Sequence, residues 1–323
     1  MAEVFAGLRP LLFAIGYRML GSVASTEDIL QEAFLRFDRA STAAEAGAGT
    51  PIESPKAYLS AVVTRLAIDE LKSARVRRES YAGIWLPEPV VTDTDSPLIR
   101  VHADPQAHAE TAESLSMAFL LVLDRLNPVE RAVFLLHDVF GYEFSEIAEI
   151  VDRNEVNCRQ IASRARKRVR QERPRLDADR ALREETARRF FEAMTAGDID
   201  GLVALLAHDV VVAGDGGGKA PQWATPLVGV ERVSKLFAGL GRQIEQFGLR
   251  LEPHSINGQP GVIVRTRSDE ITNVIVLDIA DGKVQAMHGV INPDKLGHLG
   301  PVADVRAIAA RGPVRIGQAR PGA

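Results

Sequence analysis

Arg159, Arg164, Arg166, Lys167, Arg168, Arg170, Arg173 and Arg175 crowd into one stretch with only Glu172 set against them, and Lys72, Arg75, Arg77 and Arg78 form a second group opposed only by Glu79. Cations at that density neutralise phosphate and release the counterions condensed around a nucleic-acid duplex. The chain as a whole is not basic: 39 Lys and Arg against 43 Asp and Glu leave a formal charge of −4. Charge alone therefore argues against a protein that coats nucleic acid, and confines the contact to two particular elements.

A different set of residues could do acid–base chemistry. His208, Asp209, Asp215, His254, Asp278 and His288 lie toward the C-terminus, and two of them converging in an apolar pocket would supply a general acid and a general base. Each also has an ordinary place at a helix end, in a turn or toward solvent, so no catalytic residue is assigned. In the string Asp215, Gly216, Gly217, Gly218, Lys219, the glycines let the backbone pass close to another surface and present amides, while Lys219 adds a cation. It lacks the glycine spacing and the following Ser/Thr of a Walker phosphate loop. One cysteine, Cys158, cannot form an internal disulfide, and no His/Cys cluster has zinc-ligand spacing, so neither metal nor cofactor is expected. No stretch approaches the ~20 apolar residues of a membrane span and no leader pattern opens the chain. The expectation is a cytoplasmic protein.

Helices must position the first cationic groups. Phe5, Leu8, Leu11, Leu12, Ile15 and Met19 recur at helical spacing, and Ser25 with Asp28 predicts a capped second helix from Thr26 to about Arg39. An Ala/Gly-rich loop (41–50) follows, and Ser54–Pro55 starts a long helix through Leu59, Val63, Leu66 and Leu71. Residues 80–111, with Pro87, Pro89, Pro97 and Pro105, read as a linker. Asn127–Pro128 with Glu130 starts another helix. Beyond Gly141, a short helix, a tight turn at 152–154 and a helix from about Glu155 to Arg170 have helix-turn-helix spacing. Its second helix buries Cys158, Ile161, Ala162, Ala165 and Val169 and turns Glu155, Arg159, Gln160, Ser163, Arg164 and Lys167 outward, with Asn157 in the same first turns. Such a helix fits the major groove, although a basic amphipathic surface helix is the alternative. The turn has no glycine, and Arg153 stands where an apolar residue is usual, so the exact frame stays open.

After about Asp179 helices precede strand-like runs at 210–213, 262–266, 272–279 and 283–291, with Asn257–Gly258 and Asp281–Gly282 as hairpin turns. That order predicts an α+β domain with one curved sheet over helices. The Pro/Gly/Arg-rich residues 301–323 read as a flexible tail.

Several strings carry a resemblance. TEDILQEAFLRF at 26–37 resembles the polymerase-binding helix of extracytoplasmic-function sigma factors, AYLSAVVTRLAIDELKSARVRRE at 57–79 resembles the helix that follows it, and 120–168 resembles the family's second helical domain. WLPEP at 85–89, DGGGK at 215–219 and NPDKL at 292–296 resemble the subgroup with a C-terminal SnoaL-like domain. The resemblance implies two all-α sigma domains, the second a helix-turn-helix, followed by an α+β cone-shaped SnoaL-like domain. The expected boundaries are 1–79, linker 80–111, 112–175, 180–300 and tail 301–323.

It also implies roles. Glu27, Asp28, Gln31 and Glu32 would dock on core RNA polymerase, and Arg65, Asp69, Lys72, Arg75, Arg77 and Arg78 would meet the minus-ten promoter element. Glu155, Asn157, Arg159, Gln160, Ser163, Arg164 and Lys167 would meet the minus-thirty-five element. Tyr58 stands where the family often has tryptophan. Trp85, Pro87, Asp215, Gly216, Gly217, Gly218, Lys219, Asn292, Pro293, Asp294 and Lys295 would form a regulatory contact between the extra domain and the sigma half. The implied protein is a sigma factor, monomeric when free and regulated in cis. The alternatives are a small-ligand sensor in the C-terminal domain, or a DNA-binding module fused to an enzyme.

Overall fold

Gly21 ends α1 (Ala2–Leu20) in the left-handed conformation, φ 65°, and Ser22 then accepts the amide of Ser25 to start α2 (Val23–Glu45). The cap is thus Ser22 and not Ser25, and the Thr26 hydroxyl donates back to the Ser22 carbonyl at 2.6 Å. Helix α2 also runs through Ser41–Glu45, read from sequence as loop, because alanine is the strongest helix former. The structure, a computed structural model, describes residues 1–79, 81–93, 114–172, 179–221 and 225–311.

Ser54 accepts from Ala57 N at the start of α3 (Pro55–Glu79), and Ser116 caps α4 (Met117–Leu123). A reciprocal capping box of Asn127 and Glu130 opens α5 (Pro128–Phe134), which passes into a π-helical turn, Leu135–Val139. Helices α6 (Phe144–Val151) and α7 (Glu155–Glu172) complete the helical unit, Met1–Ser80 with Val90–Pro174.

One continuous apolar core joins these helices, including Leu12, Ile15, Leu59, Val63, Leu115, Val133, Ile147, Cys158 and Ala162. Two arginines cross it. Arg131 donates to the carbonyls of Met19 and Leu123, and Arg18 donates to the Ser114 hydroxyl and the Ala14 carbonyl while lying 5.4 Å over the Phe140 ring. Burial lowers the Arg18 pKa to about 9, so at neutral pH it is still a cation and requires these partners. The Tyr142 hydroxyl donates to Ser60 Oγ at 2.7 Å, tying α3 to the loop ahead of α6.

The second unit comprises Tyr81–Pro89 and Arg175–Ala323. Its helices α8 (Arg180–Ala196), α9 (Ile199–Leu205) and α10 (Val230–Phe247) pack on a sheet ordered β2-β1-β6-β5-β4-β3. The strands are β1 (Leu206–Asp215), β2 (Leu227–Val228), β3 (Arg250–Ile256), β4 (Gln259–Arg265), β5 (Ile271–Ala280) and β6 (Lys283–Val290). Among these six strands, β1 and β6 pair in parallel and the other neighbours pair antiparallel. Phe190, Phe191, Met194, Phe237, Leu277 and Met287 fill the space between helices and sheet.

Positive φ at Asn257, Gly258, Asp281 and Gly282 forms both expected hairpin turns. Strand β3 escaped the sequence reading because Arg250, Glu252, Pro253 and His254 interrupt its apolar pattern. The tail expectation also needs correction. Pro301 and Ala303 pair with Ile271, Val302 bridges to it, and α11 (Val305–Arg311) follows; residues 312–323 lie outside the described residues.

Candidate nucleic-acid interface and linker clasp

Helix α7 is preceded by Asp152 at φ 53° and by Asn154, whose side chain accepts the amide of Asn157 at 2.8 Å. A left-handed aspartate thus makes the tight turn that a glycine usually makes. Arg153 is exposed and bonds the Asp152 carbonyl, so no apolar residue is needed there. Cys158, Ile161, Ala162, Ala165 and Val169 are buried as expected, and burial raises the Cys158 thiol pKa.

The outward residues Arg159, Gln160, Ser163, Arg164 and Lys167 are exposed, while Glu155 and Asn157 are half-buried. Arg159 is restrained: it pairs with Glu155 at 2.9 Å and lies 5.4 Å over Phe144, whose ring stacks on His137. On α2, Asp28 and Gln31 are exposed, whereas Glu27 is held by Arg9 at 2.6 Å and Glu32 by Arg36 at 2.7 Å. On α3, Asp69 pairs with Lys72. Arg65 instead donates to the carbonyls of Glu149 and Ile150, at 2.7 and 2.9 Å, capping the C-terminus of α6. The side chains of Arg75, Arg77 and Arg78 lie outside the described residues. Tyr58 packs half-buried against the core, 6.1 Å from the Phe37 ring.

In the second unit, WLPEP, DGGGK and NPDKL meet. Asp215, at the end of β1, is fully buried, and its Oδ2 accepts from Lys295 Nζ at 2.6 Å and Leu86 N at 2.9 Å. Its Oδ1 accepts from the Tyr81 hydroxyl at 2.5 Å and Gly217 N at 3.0 Å. Lys295 also donates to the Leu86 carbonyl and lies 4.4 Å over the Trp85 ring and 5.2 Å over Tyr81. A buried carboxylate and a buried ammonium thus neutralise each other while both grip residues 81–86.

The glycines permit the approach. Gly217 and Gly218 have φ of 58° and 69°; a Cβ on Gly217 would overlap the Asn292 carboxamide, and one on Gly218 would come within 3.0 Å of Ala82. Asn292 donates to the Tyr81 hydroxyl at 2.9 Å and caps the turn at Pro293–Lys295. Asp294 pairs with Lys219 at 2.6 Å on the surface. Pro87 is buried. Burial, then Asp215, raises the Tyr81 pKa well above the ordinary tyrosine range.

Of the acid–base candidates, Asp278 and His288 converge, 2.7 Å apart and buried. They alternate with Leu277 and Met287, which face the helices, so the pair lies on the sheet's other face and not in the space between helices and sheet. His208 and Asp209 are exposed near the start of β1, not at a helix end.

The sigma-70 region 2 family matches residues 4–77, sigma-70 region 4 matches 116–169, and the SnoaL-like domain matches 187–289. The chain is 39% identical over 305 residues to the ECF RNA polymerase sigma factor SigJ of Mycobacterium tuberculosis, covering 90% of this chain and 91% of that protein. The chain belongs to the extracytoplasmic-function sigma factors. The probable sigma factor SigI of the same species is 30% identical over 291 residues, covering 90% and 93%. The crystal structure of SigJ superposes with a TM-score of 0.69 at 35% identity, over 94% of this chain and all of that one.

The sigma factor's clasp contains residues that sequence reasoning missed. Tyr81 follows the 57–79 string without belonging to a motif, and Leu86, inside WLPEP, acts only through its backbone N–H and carbonyl, which its residue type does not signal. His298 bonds the Pro89 carbonyl at 2.7 Å and Arg306 bonds the Gly218 carbonyl at 2.6 Å. No local pattern marks them, because each acts on a backbone atom far away in sequence.

Proposed function

We propose that this sigma factor binds core RNA polymerase, directs it to a two-element promoter, and is regulated in cis by the grip of its SnoaL-like domain on residues 81–89. Exposed Asp28 and Gln31, with Glu27 and Glu32 beside them, offer polymerase an acidic face. The outward residues of α7 offer the major groove a set of base-reading groups followed by phosphate-binding cations.

The observation that carries the regulatory reading is the Asp215–Lys295 pair, which binds the backbone of the segment lying between the two sigma regions in sequence. The chain leaves the helical unit at Tyr81 and rejoins it at Val90, so closing or opening the clasp changes the effective length of the connection between regions 2 and 4. An effector acts on such a device only through different affinity for its closed and open states. The SnoaL-like domain works here as a regulator without turnover: among the described residues its helix-facing core is lined by apolar side chains, and the converged Asp278–His288 pair faces away from that core.

In vitro transcription with core polymerase tests the reading. The full chain directs promoter-specific initiation, and variants that open the clasp without unfolding the domain change its output. Specific initiation unaltered by clasp opening would remove the regulatory role; no specific initiation from any selected sequence would remove the sigma function.

A further inference from the structure

Val156 is the most exposed large apolar side chain among the described residues, at 63%. It stands in the first turn of α7, where helix formation does not call for a β-branched residue and where its side chain adds nothing to the buried stripe. One exposed apolar side chain on an ordinary surface needs no explanation. This one heads a row. Val156, Gln160, Ser163 and Lys167 recur at helical spacing and are all exposed, so the row passes from an apolar tip through hydrogen-bonding groups to a cation.

The charged neighbour is less free. Arg159 is held by Glu155 and by the Phe144 ring, which leaves Val156 and Gln160 as the unrestrained tip of the helix. Along the major-groove edges, the thymine C5-methyl group is the apolar feature, and adenine offers the paired acceptor and donor that an amide side chain matches. A valine one helical turn before a glutamine therefore suits a site in which thymine lies near an adenine.

We propose that Val156 contacts the C5-methyl group of a thymine in the upstream promoter element and is a specificity-determining residue beside Gln160. The assignment rests on the promoter-reading function proposed above. Contact removes the valine methyls and the thymine methyl from water together. Without the thymine methyl, the hydrogen-bonding edge of the base is unchanged but that apolar contact is lost.

The test uses the full chain with core polymerase to select the upstream element from a randomised library. Each thymine in the selected element is then replaced by deoxyuridine, and at the responding position cytosine is compared with 5-methylcytosine. At one thymine, wild-type affinity falls roughly fourfold on loss of the methyl group, and 5-methylcytosine binds better than cytosine by a similar factor. Val156→Ala loses this discrimination and Val156→Ile keeps it. An enriched element in which no thymine responds, or a Val156→Ala variant that discriminates like wild type, overturns the assignment alone. Selection that enriches no sequence overturns it together with the promoter-reading function.

Discussion

Lys295 Nζ lies 2.6 Å from Asp215 Oδ2, and both side chains are buried, at 8% and 0% exposure. The pair is neutral as a unit, yet each partner also holds one end of the Leu86 peptide group: the carboxylate accepts its N–H and the ammonium donates to its carbonyl. Lys295→Ala leaves a buried carboxylate uncompensated and lowers the stability of the C-terminal unit by about 3–5 kcal/mol. The exposed Lys219–Asp294 pair contributes about 0–1 kcal/mol, so Lys219→Ala barely moves the melting curve. Chemical denaturation of both variants checks the contrast, and equal losses would contradict the burial argument.

Tyr81 adds a pH dependence. Burial and Asp215 raise its folded pKa above the ordinary value, so the folded state holds the phenolic proton more tightly than the unfolded one does. Its contribution to stability is fully present below the unfolded value of about 10 and is lost as pH rises through the folded value. Phenolate formation would set a second negative charge against the Asp215 carboxylate. Trp85 fluorescence, measured with Trp223→Phe as background, reports release of the segment in that alkaline range, and Tyr81→Phe removes the step. A transition unchanged in Tyr81→Phe would assign it to another group.

Arg65, expected to meet the minus-ten element, donates to the last carbonyls of α6, and we propose that this cap is its main role. Arg65→Ala lowers the stability of the helical unit by about 1 kcal/mol, the order of one net hydrogen bond, and leaves the salt dependence of promoter affinity unchanged. A salt slope smaller by about one would return Arg65 to phosphate binding.

Cys158 lies fully buried in the stripe of α7, with its thiol pKa raised by burial. Thiol reagents at neutral pH modify it only after unfolding. Modification of the native chain at the rate of a free thiol would show that α7 detaches from its core.

Much of the fold was legible because its signals are local. Asn127 with Glu130, Ser54 ahead of Pro55, and the two hairpin turns each place a cap or a positive φ within a few residues of its partner. The start of α2 was misplaced because both Ser22 and Ser25 have the chemistry of a cap, and Gly21 decides between them by ending α1. The clasp was legible only as three separate strings. Their meeting depends on β1 and β6 lying side by side, with Ile291 and Asn292 bonded to the Asp215 carbonyl, a pairing across the sheet that neither string encodes. The tie from Arg65 to the end of α6 was not legible, because a cation on an exposed helix face looks the same whether its partner is a phosphate or a carbonyl from a distant helix.

The acidic face of α2 has its own check. Asp28→Lys with Glu32→Lys weakens binding to core polymerase while leaving the circular-dichroism spectrum and melting temperature near wild type, since Asp28 is exposed and the Glu32–Arg36 pair is a surface contact. Equal affinity would take these residues out of the interface.

The most direct test of cis regulation is promoter-specific initiation by the full chain compared with Trp85→Ala. Substitution removes the ring lying 4.4 Å from Lys295 Nζ and leaves the Asp215–Lys295 pair in place, loosening the clasp while keeping the domain folded. Output per polymerase-bound sigma factor then differs from wild type by several-fold, while the denaturation midpoint of the C-terminal unit shifts little. Wild-type output from a variant whose residues 81–89 are shown to be released would contradict the account.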